Sequence, residues 1–383
     1  MPWEHIIPSE GETPVLYGTT PTSWYTPPDN RQHIAYIDTH FQIHECHFAY
    51  APGGYHWEHN VPSAGHVKVS PNPPVGFRQG ITSWYTPSDT RQHVAYVGED
   101  SQIHECHFAY APGGYHWEHG VPSAGHTPVR MGASPTSWYT PVDNAQHIAY
   151  VGTDDLIHEC YFRYAPGGYY WEHIVPSAGF TPVVAGEAGD SPTSWYTPSD
   201  TRQHIAYVGT DYLIHECHFR YPVEGSHWEH SLPSAGHTEA RIDNSPTSWY
   251  TPVDNAQHIA YVGTDYLIHE CYFRYPPGGN HWEHIVPSAG HTPVRTGASP
   301  TSWYTPSDTR QHIAYVGADD LIHECHFRYP VEGSHWEHGL PSAGHTPVKE
   351  YTGPTSWYTP IDNAQHIAYV GTDYRIHECY FRL

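Results

Sequence analysis

The sequence predicts an all-β fold: a closed seven-bladed β-propeller with four antiparallel strands per blade. Three observations carry that expectation. One unit recurs seven times along the chain. Each copy reads as short aromatic strands punctuated by Gly, Pro, Asn and Asp turns. The first residues of the chain also match the strand that the last copy lacks.

The string TSWYT marks the start of each unit, at Trp24, Trp84, Trp138, Trp195, Trp249, Trp303 and Trp357. Successive tryptophans are 60, 54, 57, 54, 54 and 54 residues apart, somewhat above the roughly 40–50 residues of common propeller blades. The copy beginning at Pro246 serves as the template. Thr247–Thr251 is a first strand, and Gln257–Val262 a second. Gly263-Thr264-Asp265 turns into a third strand, Leu267–Tyr275. Pro276–Asn280 turns into a fourth, His281–Val286, and a loop leads on to the next copy.

The last copy stops at Phe381-Arg382-Leu383, at the end of a third strand. The missing fourth strand is found at Trp3-Glu4-His5-Ile6-Ile7, followed by Thr13-Pro14-Val15, which matches Thr292-Pro293-Val294. The N-terminus thus closes the ring and removes two sheet edges. The single domain 1–383 divides into blade 1 at about 21–66, blade 2 at about 81–126 and blade 3 at about 135–180. Blade 4 follows at about 192–237, blade 5 at about 246–291, blade 6 at about 300–345, and blade 7 at about 354–383 plus 1–15.

Composition narrows the partners. The formal charge is −24 and the only lysines are Lys68 and Lys349, which argues against nucleic acid, whose phosphates require clustered cations. The 36 histidines, with an ordinary pKa of about 6.5, make the net charge change sign in mildly acidic solution and allow a pH-dependent association state. No apolar run is long enough to insert in a membrane, and the opening MPWEHIIPSEGE lacks the features of a secretory signal. The expected location is the cytoplasm, or outside the cell by a route without a classical signal peptide. The seven cysteines, each within IHEC, read as reduced, buried apolar residues and not as a disulfide framework.

The copies fall into two sets. Copies 1, 2, 4 and 6 carry Arg before Gln-His (Arg31, Arg91, Arg202, Arg310) and His after Cys (His47, His107, His218, His326). Copies 3, 5 and 7 carry Ala (Ala145, Ala256, Ala364) and Tyr (Tyr161, Tyr272, Tyr380) at those places. Either the two positions touch and mark two classes of site, or a two-blade unit was duplicated.

Near-identical copies are a poor way to build one active site, which needs different groups converging on one pocket. The sequence also lacks GxSxG, HExxH and a phosphate-binding glycine loop. The reading therefore leans away from an enzyme. The recurrent histidines read as partners for backbone groups between strands or blades, so no metal and no cofactor is expected. His269 and Cys271 share a strand face, which is only a partial zinc set. Each copy also places Trp and Tyr beside Glu and His, a combination suited to sugars: aromatic faces pack on C–H faces while polar groups take hydroxyls. The TSWYT tryptophan reads as core. The WEH tryptophan reads equally as core or ligand wall.

The string QHIAYVGTDYLIHE, followed by a Trp strand and a Ser/Thr-Pro loop, resembles the repeats of propeller lectins, both the fucose-specific lectins of fungi and related bacterial seven-bladed lectins. The resemblance covers every copy. It implies that a Glu on the third strand holds the sugar with a residue twelve positions earlier, and that a Trp of a neighbouring blade stacks on it. The Glu positions are Glu45, Glu105, Glu159, Glu216, Glu270, Glu324 and Glu378. Twelve residues earlier stand His33, His93, His147, His204, His258, His312 and His366, where the fucose-specific lectins have Arg. The Trp counterparts are Trp3, Trp57, Trp117, Trp171, Trp228, Trp282 and Trp336. The resemblance thus implies sugar sites without naming the sugar. The expected function is a non-catalytic, multivalent glycan-binding protein, with oligomerisation left open. The alternatives are a protein-interaction scaffold, or a single ligand, metal or catalytic site in the central channel.

Overall fold

The computed structural model describes residues 3–49, 56–70, 79–109, 116–163, 170–185, 191–220, 227–274, 281–328 and 335–383. They form seven four-stranded antiparallel sheets and one short two-stranded pair, Thr19–Thr20 with Gln79–Gly80. Among the described residues there is no helix, and hence none long and apolar enough to cross a membrane.

The template blade consists of Thr247–Thr251, Ala256–Val262, Ile268–Arg274 and Trp282–Ile285. The second strand begins one residue earlier than the sequence suggests. The third begins one later, because the Leu267 carbonyl accepts from the Gly263 N–H at 2.9 Å and so belongs to the hairpin turn. The predicted turn Pro276–Asn280 lies outside the described residues.

Closure follows the N-terminal strand. Glu4–Ile6 pairs antiparallel with Ile376–Arg382, in the register His5 opposite Cys379. Ser9 repeats the role of Ser288 in the template: each hydroxyl accepts at 2.8 Å from the first N–H of the third strand, Ile376 and Ile268 respectively. The next residues strap blade 7 to blade 1, since Val15 N–H donates to Tyr374 C=O and Leu16 N–H to Ile37 C=O.

The first strands line the axis, and their Thr and Ser hydroxyls bond across blades. The pairs are Thr22–Ser83, Thr82–Ser137, Thr136–Ser194, Thr193–Ser248, Thr247–Ser302, Thr301–Ser356 and Thr355–Ser23, all at 2.6–2.8 Å. The ring therefore closes at its inner edge as well as through the split blade. One layer out, each TSWYT tryptophan is buried. Six of the seven donate their indole N–H to a Gln of the next blade at 3.2–3.3 Å.

The core lies between blades. Trp249, Ala260, Val262 and Ile268 of blade 5 meet Ile313, Tyr315 and Cys325 of blade 6 in one cluster. Fully burying a side chain of this size contributes about 1.5–3 kcal/mol, so stability grows with each blade added to the ring. All seven cysteines are buried and unpaired. Burial pushes the Cys217 thiol up to about 12, far from a reactive thiolate.

Candidate binding sites between blades

Alternation along the second and third strands sends one set of polar side chains to the blade face that meets the next blade. On that face, each second-strand His lies 2.5–2.7 Å through Nδ1 from Oε1 of the Glu twelve residues on. Its Nε2 bonds the last Thr of TSWYT at 2.7–2.9 Å. Its ring stacks on the TSWYT tryptophan with centroids 4.7–4.9 Å apart. His33, His93, His147, His204, His258, His312 and His366 are thus buried with both nitrogens engaged, and they orient the Glu from behind. The structure brings every predicted His–Glu pair together. The partners of these histidines are Glu and Thr side chains, where the sequence suggested backbone groups.

The two sets of copies differ at Oε2 of the Glu. In blades 1, 2, 4 and 6 the added His approaches it. His47 Nδ1 is 3.7 Å from Glu45, His107 Nδ1 3.2 Å from Glu105, His218 Nδ1 3.6 Å from Glu216, and His326 Nδ1 3.5 Å from Glu324. Asn60 also donates to Glu45 at 3.1 Å, and Ser231 to Glu216. Burial alone would raise the Glu105 and Glu324 carboxyls, but bonds from the flanking histidines outweigh it and hold each at about 2.

In blades 3, 5 and 7 Tyr takes that position and turns away. Tyr161, Tyr272 and Tyr380 donate their hydroxyls to Glu172, Glu283 and Glu4 of the fourth strand. Burial, reinforced by the Glu4 carboxylate, pushes Tyr380 up to about 12. Oε2 of Glu159, Glu270 and Glu378 is left buried with no hydrogen-bond partner. An ionised oxygen in such a place is costly unless something pairs with it.

A cleft opens beside each of these three oxygens. Glu270, Tyr272, Arg274 and Ile285 form one wall, and Gln311, Phe327, His335 and Trp336 of blade 6 the other, around a cavity of about 300 Å³. Glu159, Tyr161, Arg163 and Ile174 face Gln203, Phe219, His227 and Trp228 around about 310 Å³. Glu378, Tyr380, Arg382 and Ile6 face Gln32 and Phe48 around about 580 Å³, and Trp57 lies 5.4 Å from Phe48. Arg274 and Arg163 are about half exposed at the rims, their guanidinium groups 5.0 and 4.9 Å from the Tyr272 and Tyr161 rings. The indole N–H groups of Trp57, Trp228 and Trp336 have no partner.

The WEH tryptophan beside each cleft comes from the following blade: Trp228 and Trp336 line the clefts of Glu159 and Glu270, and Trp57 packs on Phe48 beside that of Glu378. Each is half-buried and packs on a Phe of its own blade, as Trp336 does on Phe327 and Trp117 on Phe108. Trp3, Trp171 and Trp282 occupy the corresponding places beside blades 6, 2 and 4. The Arg of copies 1, 2, 4 and 6 reaches this face too: Arg31 lies 3.5 Å from Asp29 and 3.9 Å from Glu58, beside His47. The two switching positions therefore go with two different arrangements around the Glu, which duplication of a two-blade unit would also leave.

Sequence reasoning missed two contributors. One is Arg163, Arg274 and Arg382, four residues after the Glu on the same strand face. The other is a third switching position directly opposite the Glu. It is Asn60, Gly120, Ser231 and Gly339 in one set and Ile174, Ile285 and Ile6 in the other. Reading the residue after WEH down the copies would have found it.

A second histidine population lies on the opposite strand face. His269 bonds Asp265 at 2.9 Å and His284 at 3.0 Å, and the suggested partnership of His269 with Cys271 is not formed, because Cys271 sits in the apolar cluster. His284 stacks on His237, His173 on His126 and His5 on His345, with centroids 4.0–4.1 Å apart. Burial, and then the neighbouring histidines, depress His5, His173 and His284 to about 4.

No family model and no curated protein matches this sequence. Solved structures do. AofleA from Arthrobotrys oligospora aligns at TM-score 0.55 and 16% identity over 90% of this chain and 91% of that one. The fucose-specific lectin of Aleuria aurantia aligns at TM-score 0.52 and 16% identity over 87% of this chain and 99% of the lectin. The likeness is one of fold. A candidate 6-phosphogluconolactonase from Bacteroides uniformis aligns as well, at TM-score 0.52 and 11% identity over 92% of this chain and 89% of that one. The Aleuria lectin is described as six-bladed, which agrees with its leaving part of this seven-bladed chain without a counterpart. Propeller folds host many activities, so function is argued from the clefts.

Proposed function

We propose that this protein is a non-catalytic, multivalent carbohydrate-binding protein whose open sites lie between blades 3 and 4, 5 and 6, and 7 and 1. The observation that carries the reading is the buried, unpartnered Oε2 of Glu159, Glu270 and Glu378. Each sits at the floor of a cleft with aromatic walls and an Arg at the rim. A carboxylate oxygen held rigidly from behind by a His accepts from sugar hydroxyls. The Tyr and Trp rings pack on the C–H face, the free indole N–H and the Arg donate, and the cleft sizes are at the scale of small-ligand sites. The fold likeness to fungal lectins, one of them titled fucose-specific, supports the same reading. The axial hydroxyls, by contrast, are bonded to one another and offer no convergent set of different groups to a ligand in the channel.

A glycan array followed by titration calorimetry with the best monosaccharide tests this. The expected stoichiometry is three per chain. Glu270→Gln should leave two strong sites and one weakened at least about tenfold, since a hydrogen bond to a charged group contributes about 1.5–3 kcal/mol. Glu159→Gln, Glu270→Gln and Glu378→Gln combined should abolish strong binding. An empty array at both neutral and mildly acidic pH would sink the reading, as would binding indifferent to the triple change.

A further inference from the structure

The blades whose Glu is closed off hold a different arrangement. In blade 1, His33, Glu45 and His47 each offer one ligand atom, with all three atoms within 4.8 Å of one another. The same holds for His93, Glu105 and His107, for His204, Glu216 and His218, and for His312, Glu324 and His326. His47 is buried, and its Nδ1 has no hydrogen-bond partner while it faces Glu45. His218 and His326 repeat the unpartnered Nδ1.

The far nitrogens are anchored as metal-ligating histidines require. His47 Nε2 lies 2.8 Å from Glu58, and its counterparts lie 2.9–3.1 Å from Glu118, Glu229 and Glu337. A proton on Nε2 donates to that carboxylate and leaves the Nδ1 lone pair aimed at Glu45. His33 Nε2 meets the Thr26 hydroxyl at 2.8 Å, and that hydroxyl donates onward to Asp29. With its own proton committed to Asp29, Thr26 accepts from Nε2–H, so the short contact between His33 Nδ1 and Glu45 is made through a second proton, and removing that proton exposes an Nδ1 lone pair towards Glu45. Arg31, near both Asp29 and Glu58, fixes the two anchoring carboxylates.

We propose that the His–Glu–His triads of blades 1, 2, 4 and 6 are four related binding sites for a divalent transition metal of the zinc class. Two imidazoles and one carboxylate with room for an exogenous ligand make a zinc-type donor set. In blades 2 and 6 the residue opposite the Glu leaves that room, since a Cβ placed at Gly120 or Gly339 would stand 3.5 or 3.0 Å from the Glu Oε2; in blades 1 and 4 Asn60 and Ser231 bond that oxygen and would have to turn aside for a ligand there. Binding would displace the proton shared in the short His–Glu contact and open that contact by about 0.6–1 Å, towards the roughly 3.3–3.5 Å spacing of tetrahedral ligands at bonds of about 2.0–2.2 Å. Blades 3, 5 and 7 serve as internal controls. There Tyr replaces the second His and Ile fills the place of Gly, Ser or Asn.

The test uses the full chain, stripped with a chelator and titrated with ZnCl2, and separately with CoCl2 as a spectroscopic reporter. Four equivalents of zinc should be retained through desalting, and cobalt should give visible d–d absorption. His47→Tyr should lower the stoichiometry by one. His47→Tyr, His107→Tyr, His218→Tyr and His326→Tyr together should remove all four and the cobalt bands, using a residue already accommodated in three blades. Conversely, Tyr161→His with Ile174→Gly should add a fifth equivalent, a gain that misfolding cannot mimic. No retained metal would overturn the proposal. So would a count near seven that the His→Tyr changes do not move, which would assign the metal to the outer histidine pairs present in every blade.

Discussion

The indole N–H of Trp249 and the amide oxygen of Gln311 satisfy each other in the buried interface between two blades. Removing one partner leaves a buried donor without an acceptor, which costs about 1–3 kcal/mol. The structure contains its own comparison. At the interface of blades 6 and 7, the Trp303 Nε1 and the Gln365 Oε1 are both without partners. Gln311→Met should therefore destabilise the protein by about 1–3 kcal/mol, and Gln365→Met by clearly less, as read from denaturant midpoints at constant m-value. Equal losses would show that the amide contributes by packing alone. At this scale the sequence revealed residue types but not their satisfaction. The spacing of twelve identified the His–Glu pairs. That the imidazole is consumed from behind by Thr and Trp, leaving only Glu Oε2 to face a ligand, depends on how the first strand lies against the second. No spacing encodes that.

The strand Glu4–Ile6 is short, yet it covers the outer edge of blade 7, and the strap that follows it reaches blade 1. Its loss would bare the edge of Ile376–Arg382 for pairing with other chains and remove Ser9 from the Ile376 N–H. Deleting residues 1–7 should lower the melting temperature and promote aggregation. A circular permutant that joins Leu383 to Trp3 through a linker copied from 275–280, with new ends in the loop near residue 299, should keep the wild-type circular dichroism and melt no earlier. Calorimetry and light scattering on both proteins decide it, and a truncated chain as stable as wild type would refute a closing role. The strands themselves were legible, because alternation and turn residues repeat in every copy and boundary errors were one residue. The third switching position was not, since Asn60, Gly120, Ile174 and their equivalents acquire meaning only once the fourth strand is paired opposite the Glu. That register crosses a turn whose composition differs among copies.

Across the whole ring, histidines of opposite temperament set the response to pH. His5, His173 and His284 have folded values of about 4, below the unfolded value of about 6.5. Each faces only partly compensating charge: His345, His377 and Asp373 around His5, His126, His158 and Asp154 around His173, and His237, His269 and Asp265 around His284. The unfolded chain binds protons first on these groups, so their stabilising contribution is full above pH ~6.5 and is lost as the pH falls towards ~4. His47, His107, His218 and His326 shift the other way: burial lowers them, but the paired carboxylates outweigh it and raise them above 6.5. Their contribution is full below pH ~6.5 and is lost as the pH rises through the folded value. In chelator-treated protein the melting temperature should therefore peak near pH ~6.5 and fall on both sides. The acid limb is the cleaner one to dissect between pH ~6.5 and ~5.5, above the range where carboxylates of the unfolded chain begin to protonate. Phe180 already stacks on His230 at 4.6 Å in the place where other blades put a His. Replacing His126, His237 and His345 by Phe should thus preserve the stacks, remove the repulsion between those paired imidazoles, and make the acid limb shallower while leaving the alkaline limb unchanged; burial, the larger cause, and the His66–His119 and His291–His338 stacks remain. A triple variant with an undiminished acid slope would show that the outer histidine stacks do not govern acid stability.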